Sequence, residues 1–319
     1  MSHHEFPPSR RRLGRHTLLA TGGVGIAGAG ALIYQSAPRF WRQYTNELKR
    51  PVAPARHIPD PAAWGDRGIY AAWLGHSTVL LKIDGFTMLT DPVFGVRAGI
   101  HFGPLTLGVK RLIAPALGFE SLPHIDLVLL SHAHMDHFDI PTLRHLQDPR
   151  TSIVTARKTS DLLHVGQFRS VTEVGWDEEV RVGPAIVRGL EVNHWGARFR
   201  TDTYRGYNGY LVQVGPYRVL FGGDTAETDA FRRVGGRGVD LAIMPIGAYD
   251  PWTRFHCTPE QAWKMAGDAR SELFLPVHHQ TFLLSREPVL EPMERLEAAA
   301  GSGAGRIIMH EVGEEKKIS

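Results

Sequence analysis

Cysteine is almost absent from this chain of 319 residues. Cys257 stands alone, which excludes an intrachain disulfide and any cysteine-rich zinc finger. Net charge is scarce too: 36 Lys and Arg meet 33 Asp and Glu, for a formal +3. Even that surplus is local. Arg10, Arg11, Arg12, Arg15, Arg39, Arg42, Lys49 and Arg50 face only Glu5 and Glu47 in the first fifty residues, so the remainder is slightly acidic. A reader of phosphate backbones needs a basic field, and no nucleic-acid partner is expected. Internal repeats are missing, and low complexity is confined to the N-terminal segment.

What is present is ordinary globular material, 43% hydrophobic and 22% charged, in an amount that suits one large α/β unit over residues 62–319. Ahead of it, 38–61 reads as a linker with several Pro and charges, and 1–37 as a signal or anchor segment. There Ser9-Arg10-Arg11-Arg12-Leu13-Gly14-Arg15 precedes the uncharged, Gly- and Ala-rich stretch Leu18 to Tyr34. Basic residues before a short, weakly apolar run describe an export signal, and the paired arginines resemble the twin-arginine type. The run is at the lower limit for a spanning helix, and Gln35-Ser36-Ala37 is only a partial cleavage match. The expected location is periplasmic or anchored at the inner membrane, with a cytoplasmic location as the alternative.

Apolar runs give the strand candidates: Ala71–Leu74, Val79–Ile83, Thr87–Thr90, Asp126–Leu130, Ser152–Thr155, Ala185–Glu191, Tyr210–Val214, Arg218–Phe221, Leu241–Pro245, Leu273–Val277 and Arg306–Met309. Helices interleave with them. Asp139 and Pro141 make one helix start, and Thr258-Pro259-Glu260-Gln261 has capping-box spacing with Pro at the first helical position.

The chemistry sits behind Ile125–Leu130, where Ser131-His132-Ala133-His134-Met135-Asp136-His137 packs three imidazoles and a carboxylate into six residues. An apolar run of this kind is a buried strand, and in open α/β sheets ligands collect at the strands' carboxyl ends. Neutral imidazole nitrogen and carboxylate oxygen suit zinc, and iron or manganese would accept the same atoms. The short spacing argues for two metals.

The pattern His-x-His-x-Asp-His after a hydrophobic strand resembles the signature of the metallo-β-lactamase superfamily. That resemblance implies an αββα four-layer sandwich and three further ligands from later strand ends, in the order His, Asp, His. His194 in Val192-Asn193-His194-Trp195, Asp224 in Gly222-Gly223-Asp224-Thr225 and His278 in Pro276-Val277-His278-His279 arrive in that order. The position directly after the strand favours His278, with His279 as the alternative. By this resemblance His132, His134 and His194 would hold one zinc, Asp136, His137 and His278 a second, and Asp224 would bridge them. Asp91 is read as a carboxylate behind the ligands that fixes a histidine tautomer, or else as a turn former before Pro92.

Ala72-Trp73-Leu74-Gly75-His76-Ser77-Thr78-Val79, Leu89-Thr90-Asp91-Pro92-Val93-Phe94 and Met244-Pro245-Ile246-Gly247-Ala248-Tyr249-Asp250-Pro251 are similar to the N-acyl-phosphatidylethanolamine-hydrolysing phospholipase D branch. The similarity runs from about Tyr70 to Val312. It implies a phospholipase D-type phosphodiesterase with a phospholipid substrate, and it leaves membrane association and self-association open. Asp136 and His256 are the catalytic candidates, His256 as general acid or phosphate-binding group and otherwise as a satisfied surface histidine. His76 either lines the site or shapes its turn. Trp195, Tyr249, Trp252, Phe255 and Phe282 are core residues or the wall of an acyl-chain groove. The alternative activity is metal-dependent hydrolysis of a soluble ester or sugar lactone.

Overall fold

The computed structural model describes residues 38–103 and 105–319; the expected signal or anchor segment, 1–37, lies outside the described residues. Two units emerge, dividing after Arg50. Of the first, the described part is one helix, α1 (Pro38–Lys49), with Gln43 donating to Glu47 one turn on. The linker expectation for 38–61 is corrected on both sides of that division. Residues 38–49 form a helix, and 51–61 belong to the second unit, where Ala53 pairs through its N–H with the Leu112 carbonyl and through its own carbonyl with the Ala114 N–H. Backbone groups that find partners on a folded neighbour do not remain a free tether.

The second unit, Pro51–Ser319, is built on two mixed sheets. The first contains β1 (Ile69–Gly75), β2 (Thr78–Ile83), β3 (Phe86–Thr90), β6 (Leu127–Leu130), β7 (Ser152–Ala156), β8 (Ser170–Val174) and β15 (Glu315–Lys317), in the order β15-β1-β2-β3-β6-β7-β8. β1 to β3 form an antiparallel meander, after which β3, β6, β7 and β8 run parallel. The second contains β9 (Glu179–Val182), β10 (Ala185–Leu190), β11 (Gly209–Val214), β12 (Tyr217–Phe221), β13 (Val239–Pro245) and β14 (Ser271–Val277), in the order β14-β13-β12-β11-β10-β9. A separate hairpin, β4 (Arg97–Phe102) and β5 (Leu105–Lys110), stands apart from both.

The layer logic follows from burial. β1, β3, β6 and β7 are near-continuous apolar runs buried almost throughout, as strands covered on both faces must be. Their side chains join those of β10 to β14 in one cluster that includes Trp73, Leu80, Leu129, Val154, Tyr210 and Val277. A second cluster covers the other face of the second sheet. There α3 (Pro259–Asp268) and α4 (Glu291–Ala300) bring Ala262, Met265, Met293 and Leu296 onto Leu220, Ala242 and Phe274. α3 starts as expected: the Thr258 hydroxyl accepts from the Gln261 N–H while the Gln261 side chain accepts from the Thr258 N–H. Among the described residues the helical cover on the first sheet is thin, with α2 (Ile140–His145) placing Leu143 in the large cluster.

One strand expectation fails. Gly301–Arg306 forms a 3-10 turn, and only Ile307 bridges to Phe274 before Met309 takes a left-handed φ of 61°, so Arg306–Met309 does not extend into a ladder.

Candidate metal centre

The candidate ligands stand where parallel and antiparallel strands end on the same side of the two sheets. β6 delivers Ser131 to His137, β10 runs on to His194, β12 to Asp224 and β14 to His278. Two of these exits need an unusual backbone. Gly223 has a φ of +57°, and a Cβ there would lie 2.6 Å from the Asn208 carbonyl oxygen and 2.9 Å from the Ser131 Cβ, so a glycine is what lets the Asp224 loop approach the His-rich loop. His278 itself adopts φ 63°, an uncommon conformation that turns the chain sharply after Val277.

Seven side chains then converge. The ligand atoms of His132, His134 and His194 form one group and those of Asp136, His137 and His278, joined by His76, form another. Asp224 Oδ2 lies between them, 3.1 Å from His137 Nε2, 3.1 Å from His278 Nε2, 3.8 Å from His194 Nε2 and 4.0 Å from His132 Nε2. In the first group His134 Nδ1 is 2.8 Å from His132 Nε2 and 3.3 Å from His194 Nε2. Asp136 Oδ2 is 3.5 Å from both His137 Nε2 and His278 Nε2. The structure therefore brings together every residue read from the sequence as a ligand.

The residues behind the ligands explain the ring orientations. Asp91, fully buried, accepts from the Ser131 N–H at 2.7 Å, from the Ser131 hydroxyl at 2.5 Å and from His137 Nδ1 at 2.7 Å. The Ser131 hydroxyl in turn accepts from His132 Nδ1 at 2.8 Å. One carboxylate thus fixes the tautomer of a histidine in each group, directly for His137 and through Ser131 for His132, leaving both Nε2 lone pairs directed inward. His194 Nδ1 donates to the Phe255 carbonyl at 2.9 Å, with the same consequence.

The donor set fits divalent cations. His137 Nε2, His278 Nε2 and Asp224 Oδ1 are buried with no hydrogen-bond partner, an arrangement that is costly unless something else occupies those lone pairs. The electrostatics agree. Burial pushes His132 and His194 well below the ordinary histidine range and His134 down to about 4, so these rings carry free lone pairs, as ligation requires. Although burial opposes charge there as well, Asp224 and Asp136 pull His278 up to about 9 and hold His137 above its ordinary value. Two buried acids call for positive charge where the imidazole nitrogens meet.

His256, the candidate acid, is not a surface residue. It is buried, with Nδ1 unpartnered and 3.7 Å from Asp224 Oδ2, and burial lowers it to about 4. His279 turns away from the centre and stacks on Trp73 with ring centroids 4.6 Å apart, which leaves His278 as the ligand. His76 was undervalued by sequence reasoning. Its Nε2 donates to Asp136 Oδ2 at 3.0 Å and its ring lies 4.2 Å from that of His278. The signal available was Gly75-His76-Ser77, a turn with His76 at φ 52°, yet nothing local shows that this turn faces a loop sixty residues on.

Trp195 packs on His134 at 4.5 Å and on Phe255 at 4.3 Å, at the rim of the centre. Phe282 packs edge-on against His76 at 5.1 Å, and Tyr249 is held by Glu291. A cleft of about 640 Å³ reaches from the metal loop at Met135 along Ile140 and Phe199 to Ile100 on β4.

Comparison with known proteins agrees with this geometry. The Beta-lactamase superfamily domain profile matches residues 87–279. An uncharacterised protein of Mycobacterium tuberculosis is 34% identical over 273 residues, 80% of this chain and 70% of that protein. The N-acyl-phosphatidylethanolamine-hydrolyzing phospholipase D 1 of Caenorhabditis elegans is 31% identical over 262 residues, 76% of this chain and 73% of that one. Among solved structures, a metallo hydrolase from Ignicoccus hospitalis superposes with a TM-score of 0.59 at 19% identity, covering 78% of this chain and 97% of its own.

Proposed function

Because the chain belongs to the beta-lactamase superfamily of metal-dependent hydrolases, in the branch of the N-acyl-phosphatidylethanolamine-hydrolysing phospholipases D, we propose that it is a binuclear zinc phosphodiesterase that cleaves phospholipids of the N-acyl-phosphatidylethanolamine type. The observation that carries this reading is Asp224 Oδ2, within 4.0 Å of imidazole nitrogens from both ligand groups. His132, His134 and His194 would hold one ion and Asp136, His137 and His278 the other, with Asp224 set between the two groups. Ions held there would supply an activated water near neutral pH and neutralise charge on phosphoryl oxygens.

The chain's own side chains do the positioning. Asp91 keeps His137 and His132 in the ligating tautomer, and His76 holds Asp136 by its Oδ2. His256, beside Asp224, offers the N–H that binds the phosphoryl group or reaches the leaving oxygen. A lipid substrate is supported by the cleft at Met135 and by exposed apolar side chains around it. Phe102 and Leu105 on the β4–β5 hairpin, with Phe199 in the cleft wall, are each about half exposed, and such a rim suits a membrane surface. Among the described residues no helix is long and apolar enough to cross a membrane. Export through Arg10, Arg11 and Arg12 remains our proposal, and R10Q/R11Q/R12Q tests it by leaving the protein in the cytoplasm.

The deciding experiment is elemental analysis coupled to N-acylethanolamine release from vesicles, on wild type and Asp136→Ala. Two equivalents of zinc with release lost in the variant support the reading. Two equivalents without lipid turnover refute the substrate and redirect the search to soluble esters and sugar lactones.

A further inference from the structure

The parallel strands have a second end. Where β6, β7 and β8 begin, opposite the ends that carry the metal ligands, a cleft of about 360 Å³ opens between the first sheet and the β9–β10 turn of the second. It lies a full strand length from the metal centre, about 15 Å. Arg150, Arg169 and Arg181 line it, together with Ser152, Ser170 and Thr172. Ser152 and Ser170 are cross-strand partners, and Thr172 follows Ser170 by two residues on the same face.

The charge here is not internally balanced. Arg150 is held by Asp148 through two hydrogen bonds, 3.0 and 2.7 Å, but the side chains of Arg169 and Arg181 have no hydrogen-bond or ion-pair partner among the described residues. The carboxylate in the cleft, Asp126, is engaged by the Thr87 N–H at 2.9 Å and faces His124 Nε2 at 3.6 Å. Phe86 forms an apolar wall beside Gly183.

We propose that this cleft binds a small molecule carrying a phosphate group. Donors arrive from three strands and a turn, which suits a tetrahedral group with several acceptor oxygens better than a planar carboxylate with two. Arginine is the side chain whose fork matches phosphate. The apolar wall takes the organic remainder of the ligand, and the volume falls within the range of small-molecule sites. The site is separate from the hydrolytic centre, so its occupant is an effector or a second ligand rather than the substrate.

The test is calorimetric titration of the full chain with inorganic pyrophosphate, and sedimentation with phosphatidic-acid vesicles, on wild type and R169Q/R181Q. Both arginines are exposed, so the variant is expected to fold and to keep its hydrolase activity, which reports on the intact metal centre. Binding of pyrophosphate weakened about a hundredfold in the variant, roughly tenfold for each charged contact, supports the site and a free anion as its ligand. Binding to vesicles alone, lost in the variant, supports the same site with a lipid headgroup. Absence of both, or pyrophosphate binding undiminished in R169Q/R181Q, overturns the proposal, since the anion is then bound elsewhere, as at the metals.

Discussion

Asp91→Asn perturbs the metal centre without touching a ligand. The replacement keeps the volume of the side chain, and asparagine tolerates the left-handed φ of 31° found there. It exchanges Oδ2, which accepts from both the Ser131 hydroxyl and His137 Nδ1, for an amide nitrogen that can accept from neither. Ser131 and His137 must then reorganise, and His132 loses its orientation with Ser131. Loss of an outer carboxylate typically weakens metal binding about 10- to 100-fold, or about 1.4–2.7 kcal/mol for each ion. Because Asp91 serves a histidine in each group, both ions should be affected. Buried donors left facing a donor add about 1–3 kcal/mol of destabilisation, a fall in Tm of about 2–4 °C for each kcal/mol in a domain of this size. The assay is chelator competition on the zinc-loaded protein, read beside metal-free Tm and kcat. Two weakened zinc sites with kcat reduced are expected. A lowered Tm with unchanged zinc affinities would refute the orienting role and leave Asp91 as a structural residue.

His278→Ala should remove one equivalent of metal and abolish turnover, whereas His279→Gln should keep both metals and lose only the stacking on Trp73; the reverse pattern, read by elemental analysis, would reassign the ligand. Gly223→Ala places a methyl group 2.6 Å from a carbonyl oxygen at φ +57°, so the Asp224 loop must shift, and kcat should fall at least about tenfold together with stability. A variant with normal kcat and Tm would show that the loop has slack. Burial opposes its charge, but hydrogen bonds from Arg295, from Thr258 and from its own backbone, with the Arg295 charge, together hold Glu260 to about 2. With an ordinary value of 4.5, its contribution is present above about 4.5 and disappears as pH falls towards 2. Since the pair is half exposed, that contribution is below about 1 kcal/mol. Urea midpoints from pH 5 to 2 should fall less steeply in Glu260→Gln than in wild type, and parallel curves would contradict the assignment.

Much of the centre was legible before any fold was known because each ligand follows an apolar run. A strand buried on both faces must be apolar throughout, so the point where polarity begins marks its end, as after Leu130, Phe221 and Val277. The strands missed are those under weaker constraint. β8 and β9 are largely exposed or half-buried, with mixed polarity that also suits loops. The β4–β5 hairpin gave no signal because it pairs only with itself and contains Gly99 and Gly108, where neighbouring backbones approach too closely for any Cβ.

The donor types, their order and the strand ends that carry them follow from residue identity and from the apolar character that burial demands. Which of these atoms meet depends on the folded chain. The choice of His278 over His279 came from a single left-handed residue after β14. His76 joined Asp136, and Asp91 joined His137 and, through Ser131, His132, across separations that no local pattern records. Arg169 and Arg181 line one cleft although β8 and β9 do not pair, because the edges of the two sheets approach each other there.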